Sequence, residues 1–166
     1  MYMIKKLFFF TLCSLLLILF ACKFNPDVQG KGSVLLQGVW EQDSVQYHDQ
    51  LLEYTRHKFT FSCDSFYATL ITKAKVNQYP DSCFNGGNWS EYAKGTYVFR
   101  NDTLYLLGTF TKSNFKQKIS GCYRIGQYLP VFLVKEHTPG KLIFQDQHIN
   151  MTLNLKQKIT CDPKPL

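Results

Sequence analysis

The sequence predicts an all-β domain of about eight to ten short antiparallel strands with at most one short helix. Three observations carry this expectation. After Cys22 no segment sustains an apolar repeat at helical spacing over three turns. Runs rich in Phe, Tyr, Val, Ile and Thr recur instead, several with apolar and polar residues alternating. Turn-forming pairs such as Asn101-Asp102 and Pro139-Gly140 separate these runs. A chain of this kind closes as an up-and-down barrel or packs as a sandwich, and closure removes exposed strand edges.

The first strand opens at Leu35-Leu36-Gln37-Gly38-Val39-Trp40. Gln46 to Lys58, with Leu51, Leu52 and Tyr54, is the best candidate for the one short helix. From His57 to Cys63, Phe59, Phe61 and Cys63 share one face, and Phe66 to Thr72 continues in β-prone residues after a break at Asp64-Ser65. Gly95 to Leu107 is the clearest hairpin, because Asn101-Asp102 tolerates the positive φ angles of a tight turn. Val131 to Val134 and Leu142 to Phe144 flank a turn at Thr138 to Lys141. Ile149 to Leu155 alternates without exception, placing Ile149, Met151, Leu153 and Leu155 toward a core. Asn77 to Lys94 breaks the rhythm as a long loop carrying Cys83. Its Tyr79, Trp89 and Tyr92 either cover one end of the barrel or form the rim or lid of a ligand site.

The N-terminus carries an address. Lys5 and Lys6 precede an apolar run from Leu7 to Ala21, too short at 15 residues to span a bilayer comfortably and shaped like a secretory signal. Leu19-Phe20-Ala21-Cys22 resembles the lipobox of bacterial lipoproteins, with a bulkier Phe20 than usual, and implies lipidation of Cys22. The expected division is a signal over 1–21, a lipidated polar tether over 22–34 and one domain over 35–166. Lys23 replaces the aspartate associated with inner-membrane retention, which favours the outer membrane within the cell envelope.

Removing 21 residues from the chain of 166 leaves 145, enough for one hydrophobic core. The formal charge of +7 falls to +5 without Lys5 and Lys6, and no run of five like charges remains, so no nucleic-acid partner is expected. Four cysteines remain beyond Cys22, an even number that in an exported chain reads as two disulfides. Sequence leaves three pairings open. Cys63–Cys83 with Cys122–Cys161 closes the two shortest non-overlapping loops and is the preferred one. The spacing contains no Cys-x-x-Cys pair and argues against a metal.

Leu36-Gln-Gly-Val-Trp40 resembles the Leu-x-Gly-x-Trp opening of lipocalin-like domains, where glycine permits close backbone approach and tryptophan plugs the closed end of the barrel. Gly95-Thr-Tyr97 followed by Asp102-Thr-Leu-Tyr105 is similar to a hairpin of bacterial lipocalin-like lipoproteins. The four cysteines and the ending Cys161-Asp-Pro-Lys-Pro-Leu166 look like a Bacteroidetes-type group of such lipoproteins. The resemblance implies a single up-and-down barrel with Trp40 as its plug. Some chains of this kind carry the label fumarate hydratase. The residues do not support it: the Gly-Ser-Ser-x-Met-Pro loop of the cofactor-free enzyme is absent, and the iron–sulfur type needs a far larger cytoplasmic fold.

No nucleophile, metal or phosphate-binding motif is present, so no cofactor is expected, and an enzyme stands only as a third alternative that a polar cavity containing Glu41, Asp43 or a histidine would revive. His48, His57, His137 and His148 lie on separate elements. Glu41 and Asp43 share one face of the first strand, as an acid–base pair if they point into a lumen or as a solvated outer face otherwise. The aromatic content supplies either a core or the lining of an apolar site. Two expectations follow. The first is a lipid-anchored module carrying a small apolar ligand, which requires an internal cavity. The second is a filled barrel that docks an envelope protein.

Overall fold

The computed structural model describes residues 27–76, 81–147 and 149–165. Gly30–Pro163 forms one compact unit. Residues 27–29 and 164–165 group separately, with a bridge between Val28 and Pro165. Cys22 and the expected signal lie outside the described residues, as do Tyr79 and His148.

The compact unit is a closed antiparallel barrel. Its strands are β1 (Gly38–Glu41), β2 (Glu53–Ser62), β3 (Ser65–Ala74), β4 (Asn88–Arg100), β5 (Thr103–Thr111), β6 (Gln127–Tyr128), β7 (Val131–Thr138), β8 (Lys141–Asp146) and β9 (Ile149–Gln157). Apart from β6 and β7, each pairs with its neighbour in sequence, β1 pairs with β9, and the ring closes on eight strands. β6 and β7 both pair with β5 and act as one wall interrupted at Leu129-Pro130. Proline has no N–H to give a ladder, but its carbonyl still accepts from Leu106 N at 3.1 Å.

The turns follow residue chemistry. Asn101 and Asp102 adopt φ of 49° and 53°, the left-handed pair that a two-residue hairpin requires. Cys63 and Asp64 turn β2 into β3, and Pro139-Gly140 turn β7 into β8. Up-and-down connectivity puts these three turns at one end. The opposite end carries the longer loops 42–52, 75–87 and 112–126 and the β8–β9 turn.

Alternation fills the interior. Phe59, Phe61, Phe66, Ala68, Ala93, Leu104, Leu142, Phe144 and Leu153 are all 0 % exposed. A void able to hold even one water would leave open surface on these side chains, so the middle of the barrel is packed. The rings contact one another directly: Phe132 stacks on Phe144 at 5.5 Å between centroids, and Phe59 meets Phe61, Phe132 and Phe144 at 5.8, 6.0 and 6.1 Å. Met151, Leu153 and Leu155 face this core as expected. Ile149, at the looped end of the same alternating strand, is exposed.

Three expectations are corrected. Gln46 to Lys58 is not a helix: Glu53–Ser62 pairs residue for residue with β3, and sheet pairing outweighs the local Leu51, Leu52, Tyr54 spacing. The short helix α1 is Asp81–Phe84, and strand structure resumes at Asn88. The disulfides are Cys63–Cys161 and Cys83–Cys122, not Cys63–Cys83 and Cys122–Cys161. Loop length ignores direction: the ten residues of β3 separate Cys63 from Cys83 by roughly 33 Å of strand. Disulfide-bonded residues need Cα atoms no more than about 7 Å apart, and the observed separations are 4.7 and 5.4 Å.

Candidate functional site

With the middle packed, functional surface lies at the two ends and on the walls. The short-turn end is shut by the segment before β1. Trp40 is buried, and its Nε1–H donates to Leu36 O at 2.7 Å, so the plug holds the strand entry in place. A Cβ at Gly38 would meet Leu155 Cδ1 at 2.6 Å and Gln157 O at 2.8 Å, which explains glycine two residues before the tryptophan. Residues 30–34, expected within the tether, lie on the barrel. Gly30 N donates to Asp64 Oδ2 at 2.9 Å, and Ser33 N donates to Tyr97 Oη at 2.9 Å. Gly32, at φ 63°, passes so close to Cys63 O that a Cβ would overlap it at 1.8 Å.

Gln37 and Tyr97 organise this end. Gln37 accepts from Cys63 N at 2.7 Å and donates to Cys63 O at 2.8 Å, and Tyr97 Oη also donates to Cys63 O at 2.8 Å. Burial pushes the Tyr97 hydroxyl above its usual pKa, despite the opposing hydrogen bond from Ser33. Beside this network lies a groove of about 640 Å³ lined by Val34, Leu35, Leu155, Ile159, Pro139 and Pro163 among others. Lys31, Lys158 and His137 also line it, and no carboxylate among the described residues does.

The looped end is built differently. A cleft of about 510 Å³ is lined by Glu53, Thr55, Thr72, Phe84, Trp89, Glu91, Tyr123 and Arg124. The Glu91 side chain is 6 % exposed, against 56 % for Arg124. Arg124 Nε donates to both carboxylate oxygens at 3.0 and 3.2 Å, Nη2 donates to Oε2 at 2.7 Å, and the Arg124 backbone N–H donates to Oε1 at 3.0 Å. Burial alone would raise the Glu91 pKa. The hydrogen bonds and charge of Arg124 outweigh it and hold the carboxyl below its usual range.

His57 also points inward here, with Nδ1 3.2 Å from Gln42 Oε1. Burial, reinforced by the Arg124 charge, lowers its pKa to about 4 and keeps the imidazole neutral. Thr55 and Thr72 hydroxyls meet at 2.8 Å. Phe84 lies edge-on to Trp89 at 4.9 Å and to Tyr123 at 5.2 Å, while Cys83–Cys122 ties the two loops that carry Phe84 and Tyr123.

The structure divides the residues expected at a rim. Trp89 faces inward at this cleft, whereas Tyr92, three positions on, lies on the outer face against Phe115. Tyr79 is outside the described residues. Glu41 and Asp43 sit on the outer wall, paired with Lys58 at 2.7 Å and Lys156 at 2.8 Å, and form no lumenal acid–base pair. Sequence reasoning missed Glu91 and Arg124. Their signal was present only as a carboxylate at an inward position of an alternating strand, facing a cation in a distant loop.

Apolar side chains stand exposed around the looped end: Tyr47 and Leu52 before β2, Val76 after β3, Ile119 and Ile125 before β6, and Ile149 at the start of β9. A second exposed apolar strip crosses the outer wall, where Val98 pairs with Tyr105 and Tyr105 with Val131. In comparisons with known proteins, the chain matches no family model, no curated protein and no solved structure.

Proposed function

We propose that this chain is a lipid-anchored protein of the cell envelope whose lipocalin-like barrel is a filled scaffold that docks a partner protein at its looped end. The packed lumen carries this reading. Carriage of a small apolar ligand deep in the barrel needs a cavity there, and the fully buried phenylalanines fill its middle, while the cleft above them is lined by Glu91, Arg124 and other polar groups. The exposed apolar ring supports the choice of end, because loops on a rigid barrel can vary in contact chemistry without disturbing the core. Cys22 supplies the anchor by its resemblance to a lipobox residue.

Two measurements on protein from its own host test the proposal. Native mass spectrometry should give the mass of the Cys22-acylated chain with no non-covalently bound molecule, four hydrogens below the fully reduced value for two disulfides. A stoichiometric apolar molecule would restore the carrier reading. Photo-crosslinkers at Leu52 and Ile119 should capture the same envelope protein, while one at Ile143 on the β8 wall should not. Capture from Ile143 alone would move the interface off the looped end.

A further inference from the structure

The groove beside Trp40 has a composition that its role as a barrel closure does not need. Val34 is 86 % exposed and Leu35 46 % exposed, at the tip of the turn that leads into β1. Burying the first would remove apolar surface from water, yet nothing in the domain covers it. The groove walls are apolar, and the charged groups on them are Lys31 and Lys158. An apolar tip flanked by cations is complementary to an anionic lipid surface, where acyl chains take the tip and phosphates take the ammonium groups.

The covalent path selects the same partner. Gly30 is fixed to Asp64 at this end of the barrel. It lies eight positions after Cys22, a reach of at most about 29 Å when fully extended. A lipid on Cys22 therefore keeps this end, with its groove, near the bilayer that holds the anchor.

We propose that the Trp40 end is a second membrane contact, with Val34 and Leu35 entering the lipid interface and Lys31 and Lys158 engaging anionic headgroups. This rests on the anchored reading above, and the test separates the two. The chain from position 22 with Cys22→Ser contains every described residue and cannot be acylated. It should co-sediment with vesicles of equimolar phosphatidylglycerol and phosphatidylcholine, and less with phosphatidylcholine alone or at high salt.

Val34→Ser should weaken that binding about tenfold, and Lys158→Glu by at least about fivefold. Ile119→Ser at the opposite end should leave it unchanged. All of these positions are solvent-facing, and circular dichroism checks that each variant keeps its fold. No sedimentation, or sedimentation that is indifferent to Val34 and Lys158, overturns the membrane contact, as does loss through Ile119→Ser instead. Failure of the anchored reading shows separately, as an unacylated Cys22 in the mass of protein from host membranes, and leaves the vesicle result standing.

Discussion

At the Trp40 end the part-buried hydrogen-bond network is neutral: Gln37, Tyr97, Ser33 and the Cys63 backbone satisfy one another. At the looped end the polar groups can charge: a buried carboxylate is held by Arg124, and a neutral imidazole sits nearby. The buried networks at the two ends of one barrel thus answer differently to pH. A neutral network keeps its strength until a phenol ionises, whereas a buried titratable cluster depends on each group keeping its protonation state. The disulfides repeat the contrast. Cys63–Cys161 joins a tight turn to the C-terminal tail across 98 residues, while Cys83–Cys122 joins two loops across 39.

The largest expected effect comes from breaking these crosslinks. In the chain-entropy account, Cys63→Ser with Cys161→Ser should cost about 5 kcal/mol, and Cys83→Ser with Cys122→Ser about 4 kcal/mol. Urea unfolding of the two double variants measures both. A larger loss from the second pair would mean that the looped end, not the plug, limits stability.

Acid should come next, and it should act at the looped end. The folded His57 pKa of about 4 lies below its unfolded value of 6.5, so between them the unfolded state binds more protons. Stability is therefore full above pH 6.5 and falls as the pH drops toward 4, by on the order of 3 kcal/mol. Glu91, whose folded pKa is depressed, adds a further loss as its carboxylate protonates at lower pH. Denaturant midpoints across this range should decline for the wild type and stay nearly flat down to pH 5 for His57→Gln. A parallel decline in the variant would place the acid sensitivity elsewhere.

The smallest effect sharpens the opposite end. Tyr97→Phe keeps the ring against Phe61, 5.1 Å away, and removes only the hydroxyl. Cys63 O retains the Gln37 donor while Ser33 N loses its acceptor, a cost of about 1–2 kcal/mol. That cost should be constant from pH 5 to 8. A pH-dependent cost would show that the Trp40 end is coupled to the titrating groups of the other.

Much of the architecture was legible in local chemistry. Phe59 and Phe61 alternate on β2, with Cys63 keeping the inward face just beyond it, and Asn101-Asp102 make the turn they should; Gly38 has no room for a Cβ and Trp40 is buried, which the resemblance and not the spacing implied. Leu51 and Leu52 misled because helical spacing over a few residues carries no information about a partner strand. The Glu91–Arg124 pair was not legible: 33 positions separate the two, and neither has a distinctive neighbour.

By itself the sequence determined the class of the fold, the inward face of each alternating strand, the residues at the tight turns and the need for two disulfides. These follow from interactions within a few residues, where side-chain alternation and backbone preference act directly. Only the tertiary structure decided which cysteines meet, that Trp89 and Tyr92 part to opposite faces, and that the lumen is filled. Those outcomes depend on which end of the barrel each loop reaches and how closely distant rings pack, quantities set by strand pairing and closure.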